Sequence, residues 1–333
     1  MSKDKIKIAL IVGGTSSERD VSKDSSKSIL VALKNLGYKY KIIDPAYGLN
    51  QPASEEEYFT KNSCTGLSNR NYIEIINSPA FDDVDLAFIG LHGKWGEDGT
   101  IQSLFELREI KYTGSGILPS ALAMNKHMSK IIFKHHGIPT PLWFLLDKNN
   151  NKTETVKKQV ENSFGFPCII KPNDQGSTVG LSICENAESF DRCVNMAFDY
   201  SASVMIEEYI VGRELTVGIL GDKILPVLEI IPKHGLYDYE CKYTDGMSEY
   251  IVPADIPDKV RKTLEDNAAT AFNALDCASY GRVDFKVNNK NEAFCLEVNT
   301  LPGMTSHSLV PKMAKAAGIS FDEVIERIIR EAF

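Results

Sequence analysis

The chain has 333 residues, which is long for a single hydrophobic core and predicts two or three domains. Its composition, 43% apolar and 25% charged residues, is that of a folded globular protein. The formal net charge of -8 excludes a generally basic surface, so we expect no nucleic-acid or membrane partner, and any anionic ligand must be held by local cations.

The N-terminal region contains only a short apolar run, from Ile8 to Val12. This run is too short for a signal sequence or a membrane span. Seven cysteines are scattered along the chain without a C-x-x-C pair, which predicts reduced, mostly buried thiols and no disulfide framework. Both features predict a cytoplasmic protein.

The first third of the chain alternates strand and helix patterns. Apolar runs predict strands at "IKIALIV", "YKYKIID" and "DLAFIGLHG". Helical spacing of apolar residues predicts one helix that ends at Gly37 and another at "TIQSLFELREI". Strands that alternate with helices favour an open parallel α/β sheet with both faces covered.

The remainder of the chain predicts a different architecture. We predict a single helix from about Ser120 to His136, followed from Pro167 onward by closely spaced strands at "CIIKP", "VGLSI", "VMIEEYI", "LTVGILG" and "KILPVLEII", with one helix near 187–199. This pattern indicates antiparallel α+β structure. A helix over about 258–275, the strands "GRVDFKV" and "AFCLEV", and two terminal helices complete the chain.

The last two strands carry polar side chains where a buried strand needs apolar ones. They are joined by an Asn-rich turn and predict a hairpin, with Asp284 before the turn and Glu297 and Asn299 after it. Residues two apart on a strand share a face, so a hairpin can bring the three oxygen donors together. Oxygen donors without His or Cys suit Mg²⁺. The alternative is that the two acids are solvated residues on a half-exposed strand.

Four other stretches carry candidate ligand-binding groups. Lys171 ends a buried strand before a Gly/Ser/Thr loop, "NDQGSTVG", which is typical of phosphate binding but lacks the spacing of a Walker A loop. Glu207 and Glu208 are adjacent acids in an apolar strand, so one of them points inward unless this is a charged edge strand. His92 follows a strand and enters a Gly-rich loop, where either a ligand site or a structural role fits. The Tyr-rich stretch "LYDYECKYTDGMSEY" reads as a surface loop, either a lid or an ordinary loop.

Eight motifs follow one another along the chain: "GGTSSERDVS", "LHGKWGEDGTIQ", "YTGSG", "KPNDQGSTVG", "EEYIVGREL", "YDYECKY", "GRVDF" and "EVNTLPGMTSHSLVP". In this order they closely resemble the D-alanine–D-alanine ligase family of ATP-grasp enzymes, over essentially the whole chain. The departures from the family pattern are few. They are Thr178 in the phosphate loop, Asn125 before Lys126, Asp20 and Glu208.

The resemblance implies an ATP-grasp fold in three parts. These are an N-terminal α/β substrate domain (1–114), a central ATP-grasp subdomain (115–207) and a C-terminal ATP-grasp subdomain with a lid loop and the metal site (208–333). It also implies a homodimer and a reaction that serves peptidoglycan synthesis. ATP would phosphorylate the carboxylate of one D-alanine, and the amine of a second D-alanine would attack the acyl phosphate.

The same resemblance implies how ATP and two Mg²⁺ (or Mn²⁺) ions are held. The metal ligands would be Asp284, Glu297 and Asn299. The residues that would contact ATP are Lys126, Lys171, Glu207, Tyr209, Ile210, Glu214 and Lys242. Phosphoryl transfer between two anions needs positive charge where negative charge accumulates, which is the physical reason for this set.

The substrate residues follow from the resemblance in the same way. Glu18 would pair with the ammonium of the first D-alanine, and Ser177 and Tyr243 would join it in a hydrogen-bonded set that closes the lid. Arg282 and the backbone N–H of Gly303 would hold the tetrahedral oxyanion. The remaining substrate contacts would be His92 beside the first D-alanine, and Ser308 with the N–H of Leu309 at the carboxylate of the second.

Three other functions compete with this interpretation. A ligase that uses D-lactate as the second substrate generally lacks the Tyr-rich lid pattern and has a His near it, whereas here Tyr243 is present and His234 lies outside the pattern. A non-catalytic nucleotide-binding protein is expected to lose metal ligands or Arg282. A dinucleotide-binding dehydrogenase needs a G-x-G-x-x-G fingerprint, which "IVGGTSS" does not supply.

Overall fold

The computed structural model describes residues 6–61, 66–149, 152–233, 244, 246–305 and 308–333. Three β-sheets follow one another along the chain, the first parallel and the other two antiparallel. This confirms the predicted mixture of α/β and α+β structure. Within the described residues, no helix is both long and apolar enough to span a membrane.

The first sheet is parallel and has the strand order β2-β1-β3-β4. Its strands are β1 (Lys7–Ile11), β2 (Lys39–Ile43), β3 (Leu86–Ile89) and β4 (Lys111–Tyr112). The central strands are continuous apolar runs because helices cover both faces, and Leu10 and Phe88, which face each other in register, are fully buried. The loops at the carboxyl ends of β1 and β3 carry Glu18 and His92 to the same edge of the sheet.

Four helices accompany this sheet. They are α1 (Arg19–Leu36), α2 (Glu55–Tyr58), α3 (Arg70–Ile76) and α4 (Thr100–Leu107). Gly37 ends α1 as predicted, with a left-handed φ of 77°. The predicted helix at "TIQSLFELREI" is confirmed as α4.

The next helical segment differs from the prediction. Two helices, α5 (Ile117–Met124) and α6 (Lys126–His135), replace the single helix predicted from about Ser120 to His136. Asn125 interrupts them because its backbone is extended and its side chain accepts a hydrogen bond from the N–H of Met128, which caps α6. The interruption turns α6 so that Lys126 reaches the cleft described below.

The second sheet is antiparallel, with the strand order β5-β8-β6-β7. Its elements are β5 (Trp143–Asp147), α7 (Thr153–Ser163), β6 (Cys168–Pro172), β7 (Ser182–Cys184), α8 (Phe190–Phe198) and β8 (Ser203–Glu208). Cys168, Cys184 and Cys193 are free and buried in its core, as the cysteine pattern predicts. Glu207 lies on β8, which is an interior strand of this sheet, so the charged-edge alternative for the adjacent acids is wrong.

The third sheet is also antiparallel and has the strand order β12-β11-β9-β13-β14, with β10 paired to β9. Its strands are β9 (Gly212–Leu220), β10 (Lys223–Ile224), β11 (Leu228–Pro232), β12 (Ser248–Ile251), β13 (Tyr280–Asn288) and β14 (Ala293–Asn299). The stretch "KILPVLEII" forms two strands, not one, because it is interrupted at Pro226, which has no N–H for a ladder. The end of the Tyr-rich stretch, predicted as a loop, is strand β12.

The terminal helices connect the third sheet to the first. The remaining helices are α9 (Asp258–Ala274), α10 (Leu309–Ala316) and α11 (Phe321–Arg330). Helix α9 covers the third sheet, whereas apolar residues of α10 and α11 share one core with α1 and the parallel sheet, as in the buried set Leu33, Met313 and Ile328. This shared core fixes the N-terminal loops against the C-terminal hairpin.

We predict that Phe285→Ala lowers the free energy of unfolding by about 3–5 kcal/mol, because it empties a fully buried site between β13 and α9. The matched control is Leu107→Ala, at a side chain that is 84% exposed, with an expected change within about 0.5 kcal/mol. Urea unfolding monitored by circular dichroism measures both. Equal midpoints for the two variants would contradict the assigned core.

Candidate active site

The strand pair β13–β14 places four polar side chains on one face. Asp284 faces Glu297 in register and Arg282 faces Asn299, and residues opposite one another in an antiparallel pair share a face. Val283 and Phe285 point the other way, into the core under α9. The hairpin expected from the sequence is confirmed.

Asp284 lies at the centre of this face and accepts hydrogen bonds from three side chains. Arg282 binds both of its oxygens at 2.8 Å, Asn299 Nδ2 donates to Oδ2 at 2.9 Å, and Thr216 on β9 donates to Oδ1 at 2.6 Å. Lys126 Nζ lies 3.1 Å from Glu297 Oε2. Each carboxylate therefore has a cationic partner, as the cost of burying a charge requires.

The chemistry of this donor set fits a hard divalent cation. Two carboxylates and an amide supply only oxygen ligands of the type that Mg²⁺ and Mn²⁺ prefer. Within the residues that the structure describes, no group of three acid, His or Cys side chains is arranged to hold a metal. A metal ion bound at this face would have Asp284, Glu297 and Asn299 as its nearest protein oxygen donors.

A cleft of about 910 Å³ lies between the second and third sheets. Its lining includes every described residue assigned to ATP from the sequence: Lys126, Lys171, Glu207, Tyr209, Ile210 and Glu214. The Gly-rich loop after β6 forms one wall, where Ser177 and Thr178 have left-handed φ angles of 48° and 63°. Such conformations cluster at ligand sites because they turn consecutive backbone N–H groups inward.

Charged pairs hold the walls of this cleft in place. Lys171 Nζ lies 2.7 Å from Glu207 Oε2, and Lys286 Nζ lies 2.9 Å from Glu214 Oε2. Burial alone would raise the pKa of Glu207, but Lys130 and Lys171 outweigh burial and hold that pKa below its usual value. Lys130 was missed in the sequence, although a lysine four residues after Lys126 on the same helix face was a signal for it.

A second cleft of about 870 Å³ adjoins the first, and Gly176, Ser177 and Glu297 line both. The second cleft holds the residues assigned to D-alanine: Glu18, His92, Arg282, Gly303, Ser308 and Leu309. Glu18 is 6% exposed and accepts a hydrogen bond from the Ser177 hydroxyl. Gly93 has a φ of 69°, and a Cβ there would lie 2.3 Å from Glu18 Oε2, so only glycine leaves room for this carboxylate.

His92 joins the parallel sheet to the turn after β14. Its Nδ1 lies 3.0 Å from the carbonyl oxygen of Leu301, which can only accept, so Nδ1 carries the proton. Burial lowers the pKa of His92, so the ring is neutral and Nε2 accepts from Ser25 Oγ at 2.9 Å. Ser25 in turn accepts from the N–H of Met304. The structural role considered for His92 is present, and it fixes the turn that contains Gly303.

That turn leads into helix α10 at the floor of the second cleft. A Cβ on Gly303 would lie 2.8 Å from Ser308 Oγ, so glycine permits this close approach. Ser308 precedes α10, and its hydroxyl accepts a hydrogen bond from the N–H of Thr305. The N-terminal N–H groups of a helix favour anions, so this end of the cleft suits a carboxylate.

Two of the predicted site residues cannot be placed. Lys242 and Tyr243 lie outside the described residues, as does His234. All the other predicted residues fall in or directly beneath the two adjoining clefts, with Asp284 behind Arg282 and Asn299.

Models of known families match nearly the whole chain. Residues 7–115 match the D-ala D-ala ligase N-terminus and residues 132–330 match the D-ala D-ala ligase C-terminus. The chain belongs to the D-ala D-ala ligase family. This confirms the resemblance drawn from the eight motifs.

Individual members of the family agree in sequence and structure. D-alanine--D-alanine ligase of Syntrophotalea carbinolica is 40% identical over 98% of this chain and 96% of its own length, and that of Geobacter sulfurreducens is 39% identical over 100% and 96%. The D-alanine--D-alanine ligase of Bacillus anthracis complexed with ATP superposes with a TM-score of 0.78 at 32% identity, covering 99% of this chain and 97% of its own. VanG D-Ala:D-Ser ligase of Enterococcus faecalis gives 0.81 at 30% identity, covering 99% and 100%. These solved structures confirm the expected ATP-grasp fold.

Glu97 is a residue of the second cleft that the sequence did not single out, although it lies in the motif "LHGKWGEDGTIQ". It accepts a hydrogen bond from the N–H of Gly93 at 2.7 Å. Burial and the neighbouring charge of Glu18 raise the pKa of Glu97 to about 8. This raised pKa favours the protonated form of the carboxyl group at neutral pH.

The raised pKa of Glu97 predicts a pH dependence of stability. Between the ordinary pKa of a glutamate and about 8, the folded chain binds one more proton here than the unfolded chain, so stability falls as pH rises, by up to about 1.4 kcal/mol per pH unit. Glu97→Gln removes this contribution and flattens the decline. Urea midpoints measured from pH 5 to 8.5 test it; parallel curves for the two proteins would contradict the assignment.

Proposed function

We propose that the chain joins two D-alanine molecules to D-alanyl-D-alanine, with ATP converted to ADP and phosphate through an acyl phosphate, for peptidoglycan synthesis. One observation carries the proposal. Glu297 lines both clefts, so the metal-binding face of the hairpin lies where the phosphate end of a nucleotide and the carboxylate of an amino acid would meet. Membership of the D-ala D-ala ligase family supports the same reaction.

The first cleft accommodates the nucleotide in this proposal. Lys126 and Lys171 supply local cations for the phosphates, as the acidic net charge of the chain requires. Tyr209 and Ile210 follow β8 at the cleft wall and present backbone groups to the base, and Glu214 lies nearby as an acceptor for a nucleoside hydroxyl. A solved relative from Bacillus anthracis is complexed with ATP, which supports ATP as the nucleotide.

Asp284, Glu297 and Asn299 would hold two Mg²⁺ or Mn²⁺ ions. When bound, such ions neutralise the negative charge that accumulates on transferring phosphoryl groups. Thr216 and the strand register orient Asp284 without any ligand, so the face is preorganised. Lys126 contributes a further positive charge next to Glu297.

The second cleft orders the two amino acids. Glu18 offers a carboxylate for the ammonium of the first D-alanine, and Ser177 holds that carboxylate in place. Arg282 and the N–H of Gly303 face the same space and would stabilise the oxyanion of the tetrahedral intermediate. Ser308 and the N–H of Leu309 would bind the carboxylate of the second D-alanine at the start of α10.

The lid role of the Tyr-rich loop stays a prediction. Lys242 would reach the γ-phosphate, and Tyr243 would join Glu18 and Ser177 to close the site and exclude water from the acyl phosphate.

The division into domains 1–114, 115–207 and 208–333 is proposed on the three sheets, which lie within or nearly within these bounds. A homodimer and a cytoplasmic location also remain predictions.

The identity of the second substrate has one specific competitor. VanG, a D-Ala:D-Ser ligase, superposes over 99% of this chain, so the fold serves second substrates other than D-alanine. The D-lactate alternative is opposed by Tyr243 in the lid motif. We propose D-alanine, because the curated relatives of 39–40% identity described above are D-alanine--D-alanine ligases.

We predict phosphate release from ATP and Mg²⁺ that requires D-alanine and does not occur with L-alanine, with D-alanyl-D-alanine as product. Mass spectrometry of mixtures in which D-serine or D-lactate competes with D-alanine identifies the second substrate. If most of the product contained D-serine or D-lactate in place of the second D-alanine, the chain would be assigned to the ligases that use that second substrate. Absence of any D-alanine-dependent turnover would reject the proposal.

We predict that Glu297→Gln lowers turnover at limiting Mg²⁺ by about tenfold or more, because one anionic ligand is lost, and that raising Mg²⁺ recovers part of the loss. Glu188→Gln is the matched control, since it removes the same charge from an exposed position outside both clefts. Initial rates over a Mg²⁺ titration provide the measurement. Superimposable titrations for Glu297→Gln and the native chain would refute the role.

A further inference from the structure

A fully buried lysine lies behind the nucleotide cleft without lining it. Lys130 on α6 has a side chain that is 0% exposed, and its Nζ lies 2.6 Å from Glu207 Oε1. The other oxygen of Glu207 is 2.7 Å from Lys171, which does line the cleft. The three side chains form a linear series, Lys130–Glu207–Lys171, that begins in the core and ends at the cleft wall.

Lys130 also reaches the opposite wall of the cleft. Its Nζ donates to Thr140 Oγ1 at 2.5 Å, and Thr140 Oγ1 donates to the carbonyl of Cys295 at 2.7 Å. Cys295 lies on β14, two residues before Glu297, and its N–H is bonded to the carbonyl of Pro139 at 2.8 Å. One buried ammonium therefore connects β8 of the second sheet to the metal-binding strand of the third.

We propose that Lys130 is a positioning residue for the nucleotide site. It balances the charge of Glu207 from the core side, so that the positive charge of Lys171 is available to the phosphates of ATP. The inference rests on the proposed function, since it assigns a ligand to this cleft. Lys130 lines neither cleft, and its Nζ contacts Glu207, Thr140 and the carbonyl oxygen of Pro141.

The charge balance of the series gives the physical reason. With Lys130 and Lys171 each carrying one positive charge and Glu207 one negative charge, the series has a net charge of +1 at the cleft wall. Without Lys130, Glu207 pairs with Lys171 alone and the net charge is zero. Both oxygens of Glu207 face lysines and its side chain is 4% exposed, so its negative charge is shared between Lys130 and Lys171.

A purely structural role for Lys130 makes a different prediction. Replacement of a buried ion-pair partner always lowers stability, because it leaves an uncompensated charge. A structural role therefore predicts lower stability with unchanged nucleotide affinity in the folded fraction. The proposed role predicts a specific loss of affinity for ATP, and this loss should disappear in a chain whose Glu207 is already neutral.

The experiment measures equilibrium binding of ATP without D-alanine, and separately the KM values for ATP and D-alanine. Lys130→Met is expected to weaken ATP binding about tenfold, with the KM for D-alanine and kcat little changed. Because Glu207 itself lines the nucleotide cleft, Glu207→Gln alone is the reference for the double variant Lys130→Met with Glu207→Gln. Adding Lys130→Met to Glu207→Gln is expected to weaken ATP binding by less than about threefold, since the acid through which Lys130 acts is already neutral.

Arg213→Met is the matched control. Arg213 holds the nearly buried Glu229 with two bonds of 2.6 Å on the core-side face of β9, outside both clefts. Its loss is expected to lower the thermal unfolding temperature without changing ATP affinity. A control that weakened ATP binding as much as Lys130→Met would overturn the inference.

The remaining outcomes also decide the question. Native ATP affinity in folded Lys130→Met, or a tenfold loss when Lys130→Met is added to Glu207→Gln, overturns the inference. If Lys130→Met does not fold, the double variant decides, because it leaves no unpaired acid. An ATP affinity within threefold of that of Glu207→Gln supports the inference, and a tenfold loss relative to Glu207→Gln overturns it. Failure of the native chain to bind ATP refutes the proposed function instead, so the two failures are distinguishable.

Discussion

The register of one antiparallel strand pair determines the chemistry of this molecule. Asp284 opposite Glu297 and Arg282 opposite Asn299 put two acids, an amide and a guanidinium on one face, while the alternate residues fill the core beneath. Such a concentration of charge in a strand interior is stable only if each carboxylate has a fixed partner. Arg282, Thr216 and Lys126 supply these partners, and the partners themselves are groups that phosphates and carboxylates bind.

The rest of the fold brings anionic substrates to that face from two sides. Lys126 and Lys171 line one cleft, and loops of the N-terminal parallel sheet contribute Glu18 and His92 to the other. The second arrangement depends on the core that α10 and α11 share with α1, because this packing fixes the first residues of the chain against the last. Buried His92 then links Leu301 to Ser25, which stabilises the turn at Gly303. The contacts that pack the core at this junction therefore also position the candidate substrate-binding residues.

Much of this organisation could be predicted from the sequence, and the misses have physical causes. Apolar periodicity found the parallel sheet and the hairpin, and motif order found the family and predicted the site residues. The break at Asn125 was missed because helical spacing continues through it, and only the capping geometry of its side chain stops the helix. Lys130 and Glu97 were missed because a single charged residue in such a pattern is normally exposed. The burial of Lys130 depends on Glu207, a partner distant in sequence, and the pKa of Glu97 is raised by burial and by the charge of Glu18. The spacing of Lys126 and Lys130 indicates a shared helix face, but it does not indicate that Lys130 is buried beside Glu207.

The central claim is that the hairpin face binds divalent cations together with the nucleotide. The most direct measurement counts Mn²⁺ ions bound per chain by electron paramagnetic resonance, in the presence of a non-hydrolysable ATP analogue. The native chain should bind two ions, and Asp284→Asn should bind fewer while remaining folded. An Asp284→Asn variant with the full complement of Mn²⁺ at native affinity would contradict the claim.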